Sequence, residues 1–252
     1  MNKLSTYIFA HDQNIILDFI KNKKFENFDS LFYVFVGNKS TDKISNINNV
    51  IIANKLPINI EHIPKLVSFT GWYALCENNL INSEYVNLFE YDINCCSEFK
   101  IKNISLVEKN PDAISYFNLP AKHPLFIQNP TYSDVLVKDI KDKTGVDLFE
   151  LVNKFLTKNP NLLWQTTSNS TWKTSVLKDY VTWCKQFIEV LSKFEYAGHA
   201  IERSISFFYY INKSNVSLTN GLLEHLQLNS HKTDPFLPKN DDRFNQGYKN
   251  LI

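Results

Sequence analysis

Apolar residues in the first hundred positions fall in short continuous runs broken by polar turns, and this pattern predicts alternating strands and helices. Residues 7–10 (Tyr-Ile-Phe-Ala) predict a short strand closing at His11 and Asp12. Residues 15–20 predict a helix, with Asp12 or Asn14 as its N-cap. The run at 31–36 is apolar throughout and is closed by Gly37 and Asn38, which suits a parallel strand covered on both faces. Residues 49–53 predict another strand. Pro64 stands where a helix start tolerates proline, and Leu66, Phe69, Tyr73, Cys76 and Leu80 then step by three and four to give one buried stripe. Residues 86–93 read as a strand whose apolar run ends in Glu90 and Asp92, and residues 104–107 as a further strand. The prolines between 111 and 132 predict a loop-rich stretch. Helical spacing returns at 146–156 and 175–188, with a polar, tryptophan-flanked loop at 162–172 between them. A long helix is predicted over 197–210, and a polar, irregular tail after Ser217.

This order, with short connections, predicts an α/β fold: a mainly parallel central sheet of Rossmann-like type flanked by helices, with a helical C-terminal part. In such sheets ligands sit beyond the carboxyl ends of the strands. His11-Asp12, Gly37-Asn38 and Glu90-Tyr91-Asp92 all fall at such ends.

The chain has 252 residues, which fits one domain without repeats. A formal net charge of +1 gives no electrostatic case for nucleic acid as a partner. The four cysteines, Cys76, Cys95, Cys96 and Cys184, have neither zinc spacing nor the layout of a disulfide framework, so reduced thiols are expected. The first residues are too soon interrupted by charge for a signal peptide, and no apolar run is long enough to span a bilayer. A cytoplasmic protein is therefore expected, with room left for peripheral contact with a membrane. No phosphate-binding glycine loop, dinucleotide fingerprint or nucleophile elbow is present.

The chemistry centres on Glu90 and Asp92. Side chains alternate along a strand, so an i, i+2 pair points to one side. Two carboxylates there are costly unless paired or metal-bound, and their hard oxygens suit Mg or Mn. His199, Glu202 and Arg203 share one helix face, opposite Ile201, Ile205 and Phe208, which face a core. Glu202 is a candidate general base. Arg203 fits equally a bidentate phosphate contact or a structural ion pair with Glu202. Trp164, Thr166, Thr167, Ser168, Asn169 and Trp172 offer the hydroxyls, amide and indole faces that bind sugars, although an ordinary polar loop would carry the same residues.

Several short blocks resemble the GT-A type glycosyltransferases that build bacterial or viral surface polysaccharide. They are the first strand with His11-Asp12, the segment from Ser68 to Ala74, Phe89-Glu90-Tyr91-Asp92, the stretch from Trp164 to Asn169, and His199-Ala200-Ile201-Glu202-Arg203. The resemblance implies a nucleotide-sugar donor bound by residues 1–110 and a saccharide or glycolipid acceptor on the side of residues 111–252. It implies Asp92 as a direct ligand of Mn or Mg, with Glu90 beside it and nearer the nucleoside. Glu202 would act as base. His11, Asp12, Thr167, Ser168, Asn169, His199 and Arg203 would contact substrate. A C-terminal histidine, His231 or else His225, would complete the metal shell, and Lys232 would face the diphosphate. His225 also reads as part of an exposed tail. The family's motif usually begins with Asp. Glu90 in that place also suits a carbohydrate-binding or assembly protein that kept the fold and lost catalysis.

Overall fold

The structure is a computed structural model that describes residues 2–120, 130–147, 150, 154, 157, 163–165, 167–193 and 197–226. In chain order the elements are β1 (Asn2–Ala10), α1 (Gln13–Lys21), β2 (Leu31–Phe35), β3 (Val50–Ile52), α2 (Ser68–Glu77), β4 (Ser83–Glu90), β5 (Ile93–Cys95), α3 (Phe99–Val107), β6 (Ala113–Ser115), β7 (Asn118–Pro120), α4 (Pro130–Thr144), β8 (Leu163–Gln165), β9 (Ser170–Lys173), α5 (Thr174–Lys185), α6 (Ile188–Leu191), α7 (Ala197–Asn212), β10 (Val216–Leu218) and β11 (Leu223–His225).

Seven strands form one sheet in the order β3-β2-β1-β4-β9-β6-β10. All neighbouring pairs run parallel except those of β9, which is antiparallel to both β4 and β6. Strands from both sides of residue 110 share this sheet. Two small antiparallel pairs, β5 with β11 and β7 with β8, stand beside it.

The strands are apolar on both faces because both faces are covered. Tyr7, Phe9, Val34, Val86, Leu88 and Trp172 enter one core with residues of α2, α5 and α7. Their neighbours Ile8, Ala10, Tyr33, Phe35, Tyr85 and Phe89 enter the other, with Phe19 of α1 and Phe99 of α3. Strand alternation alone sorts them. The mainly parallel α/β architecture expected from the sequence is thus present, and Asp12 is the N-cap of α1, accepting a hydrogen bond from the Asn14 N–H at 2.9 Å.

Five local expectations are corrected. Pro64 opens only a 3-10 turn, Pro64–Leu66, and α2 starts afresh at Ser68 because Val67 breaks the helix at φ +52°. Residues 104–107 are the end of α3 rather than a strand. Phe99, Asn103 and Val107 bury one helical face at a spacing of four, while Ile101 and Ile104 lie exposed and give the false appearance of a strand. The stretch after Pro111 holds β6 and β7. The supposed loop at 162–172 contains β8 and most of the buried β9, and the tail after Ser217 holds the end of β10 and all of β11. The helix expected at 146–156 lies mostly outside the described residues.

β9 was hidden by its polar letters. Thr171 is fully buried, and its hydroxyl joins a network with Asn87 of β4, Asn103 of α3 and Tyr116. Asn87 also donates to Thr6 of β1. Polar side chains can fill a sheet centre when each finds a partner.

Candidate metal and acid cluster at the carboxyl edge

β4 ends at Glu90, next to Phe9 in the register of β1. The chain then turns through Tyr91 and Asp92 into β5, with the Tyr91 N–H donating to the Phe9 carbonyl at 3.0 Å. Asp92 therefore lies in a turn and not on the strand, so simple alternation does not place it beside Glu90. The turn does. Ligand atoms of Glu90, Asp92 and His225 all lie within 4.8 Å of one another.

His225 reaches the cluster through backbone pairing. Gly221, at φ +80°, turns the chain into β11, which pairs with β5 so that His225 opposes Ile93. The next residue, Leu226, donates its N–H to the Asp92 carbonyl at 2.6 Å. His225 Nε2 then stands 3.9 Å from Asp92 Oδ2. Burial holds the imidazole below its usual pKa, against the pull of the Glu90 and Glu202 charges. It is thus kept in the neutral form that has a lone pair for a metal.

Glu90 follows Leu88 onto the face of the sheet covered by α2 and α7. Its Oε1 accepts from Ser68 Oγ at 2.8 Å and from Ser168 Oγ at 2.7 Å, and its backbone N–H donates to Asn169 Oδ1 at 2.7 Å. Ser168 Oγ also lies 3.3 Å from Glu202 Oε1. Burial, then the charges of Glu202 and Asp92, push the Glu90 carboxyl up to about 7, although the two serine hydroxyls work the other way. Three carboxylates crowd this edge, which is the electrostatic setting that a bound cation relieves. Two carboxylates and one neutral imidazole, with ligand atoms this close together, could hold a divalent cation.

The other residues expected from sequence take varied places. His11 is exposed, and its ring packs edge-on against Tyr91 at 5.1 Å between centroids. Asp12 caps α1 and stands 3.8 Å from Lys39. Thr167, Ser168 and Asn169 are buried at the approach to β9, where Thr167 accepts from Gln165 and from the Asn169 N–H. Glu202 and Arg203 are partly buried on α7, and Ile201, Ile205 and Phe208 do face the core. His199 is in the first turn of α7, but its side chain lies outside what is described. His231 and Lys232 lie outside the described residues. Sequence reasoning missed Ser68, since nothing marks one serine at a helix start as the partner of an acid 22 residues away. A separate cavity of about 430 Å3, lined by Asp112, Trp183 and Phe208 among others, opens at the amino edge and belongs to neither group.

No family model and no curated protein matches the sequence. Among solved structures the chain is similar to the WbbM bifunctional glycosyltransferase, with a TM-score of 0.62 and 12% identity over 89% of this chain and 45% of that one. The chain therefore spans less than half the length of WbbM. S. aureus TarS 1-349 superposes with a TM-score of 0.41 and 13% identity over 86% of this chain and 57% of its own. The galactosyltransferase LgtC, in complex with donor and acceptor sugar analogs, superposes with a TM-score of 0.42 and 12% identity over 98% of this chain and 84% of its own. Those two overlaps are too loose to bear on the site. The likeness to WbbM shows the fold, which is GT-A-like.

Proposed function

We propose that this protein is a glycosyltransferase that moves a sugar from a nucleotide-sugar donor to a saccharide or glycolipid acceptor. The observation that carries the proposal is the meeting of Glu90, Asp92 and His225 at the carboxyl edge of a GT-A-like sheet. Ligands of open α/β sheets bind at that edge. Glu90, Asp92 and His225 would hold Mn or Mg. The bound cation would supply neutralisation of the charge that grows on the departing diphosphate.

The chain's own groups do the rest. The bond between the sugar's anomeric carbon and the diphosphate oxygen breaks, and a bond from that carbon to an acceptor oxygen forms. In an inverting transfer Glu202 takes the acceptor's hydroxyl proton as it leaves. Ser68 and Asn169 fix Glu90 from two sides, one on the carboxylate and one on the backbone, so the edge is set before substrate arrives. Arg203, a neighbour of Glu202 on α7, offers a fixed positive charge. No described helix is long and apolar enough to cross a membrane.

Release of nucleoside diphosphate from a panel of sugar nucleotides with Mn tests this. Asp92→Asn should lower turnover by at least about 100-fold with an unchanged circular dichroism spectrum. Glu202→Gln should lower it by roughly 100- to 10,000-fold in an inverting reaction. Wild-type turnover in Asp92→Asn would overturn the metal role, and no binding of any sugar nucleotide would overturn the function.

A further inference from the structure

The Ser168 hydroxyl stands between two carboxylates. Its oxygen is 2.7 Å from Glu90 Oε1 and 3.3 Å from Glu202 Oε1. A serine has one hydrogen to donate, so it serves one of these oxygens at a time. Glu90 Oε1 has a second donor in Ser68, at 2.8 Å, and does not depend on Ser168. Ser168 is itself 4% exposed and sits just before β9, so it has little room to turn elsewhere.

We propose that Ser168 is a positioning residue that reports the state of Glu90 to Glu202. This rests on the reading above, in which Glu90 helps hold a cation and Glu202 is the base. A carboxylate that gives its electrons to a cation is a weaker hydrogen-bond acceptor. With the cation present, Glu202 becomes the better acceptor for the Ser168 hydrogen. The hydroxyl then rotates from Glu90 to Glu202 and holds that carboxylate toward the acceptor. No covalent bond changes; one hydrogen bond is exchanged for another. A site lacking its cation would leave the base less firmly held, so the proton acceptor would be set in place only when the diphosphate can leave.

The test is carbon NMR at pH 8 of the full chain labelled at the glutamate carboxyl carbon, with Mg as the probe. Glu90→Gln and Glu202→Gln assign the two resonances. In wild type, Mg should move both. In Ser168→Ala, Mg should move the Glu90 signal as before while the Glu202 signal loses most of its response. Ser168→Thr, which keeps a hydroxyl, should restore it. The intact Glu90 response in Ser168→Ala shows that the variant is folded at the site. On any donor that turns over, Ser168→Ala should lower kcat by about tenfold with little change in donor KM. An equal Glu202 response in wild type and Ser168→Ala would overturn the inference alone, since the carboxylates would then sense each other directly. A Glu90 signal unmoved by Mg would overturn the cation reading and this inference with it.

Discussion

Burial and two nearby negative charges both favour the neutral form of Glu90, whose carboxyl is raised from about 4.5 to about 7. Because the folded-state value is the higher one, the stability it contributes is complete below pH 4.5 and is lost as pH rises through about 7. Each pH unit traversed is worth about 1.4 kcal/mol at most. Glutamine mimics the neutral acid. The melting temperature of Glu90→Gln, without added metal, should therefore rise relative to wild type between pH 5 and pH 8. Parallel curves for the two proteins would contradict the account. Val67 is a second test at this scale. It is β-branched and half-exposed, yet holds φ +52° and ψ −129°, a region natural to glycine. Its position directly before Ser68 sets where that hydroxyl meets Glu90. Val67→Gly should raise stability by about 1 kcal/mol once the added chain entropy of glycine is subtracted. A lower melting temperature would show that the backbone there is not strained.

At the level of elements, legibility followed the apolar runs. β1, β2 and α5 were readable because continuous or periodic apolar residues declare a covered strand or an amphipathic helix. β9 was not, because Ser170 and Thr171 look like a loop until Asn87, Asn103 and Tyr116 are seen to satisfy Thr171, and the Ser168 carbonyl and the Trp172 indole to satisfy Ser170. The role of that network is testable. Asn87→Ala removes a group that touches Thr6, Asn103 and Thr171 and leaves their polar atoms buried, which should cost about 2–4 kcal/mol by denaturant unfolding. A near-neutral change would mean that the strands are held by apolar packing alone. α2 meets the sheet at Gly71. A Cβ there would fall 2.6 Å from the Phe9 ring and 2.8 Å from Val36, both deep in the core. Gly71→Ala should therefore destabilise by about 1–3 kcal/mol in the same assay, whatever its gain in helix propensity. The acid pair at 90 and 92 was legible as a motif, but its geometry was not. A turn, and not strand alternation, brings the two together. His225 was legible only as one of two late histidines, because its place depends on pairing across more than a hundred residues of chain.

The molecule as a whole places its chemistry where the sheet ends. Strands β1, β2 and β4 run parallel and deliver His11, Gly37 and Glu90 to one edge, while α2 and α7 bring Ser68 and Glu202 over one face of it. The GT-A-like fold explains why these elements lie together, and the cluster is the observation on which the proposed function rests. A cation taken up by Glu90, Asp92 and His225 must displace the proton that Glu90 favours near neutrality, so uptake should strengthen from pH 6 to pH 8 with release of a proton. The most direct test of the account is calorimetric titration of the full chain with Mn at pH 8, in wild type, Asp92→Asn and His225→Ala. One site is expected in wild type, weakened at least about tenfold in each variant. Equal Mn binding in all three proteins, or none in wild type, would contradict it.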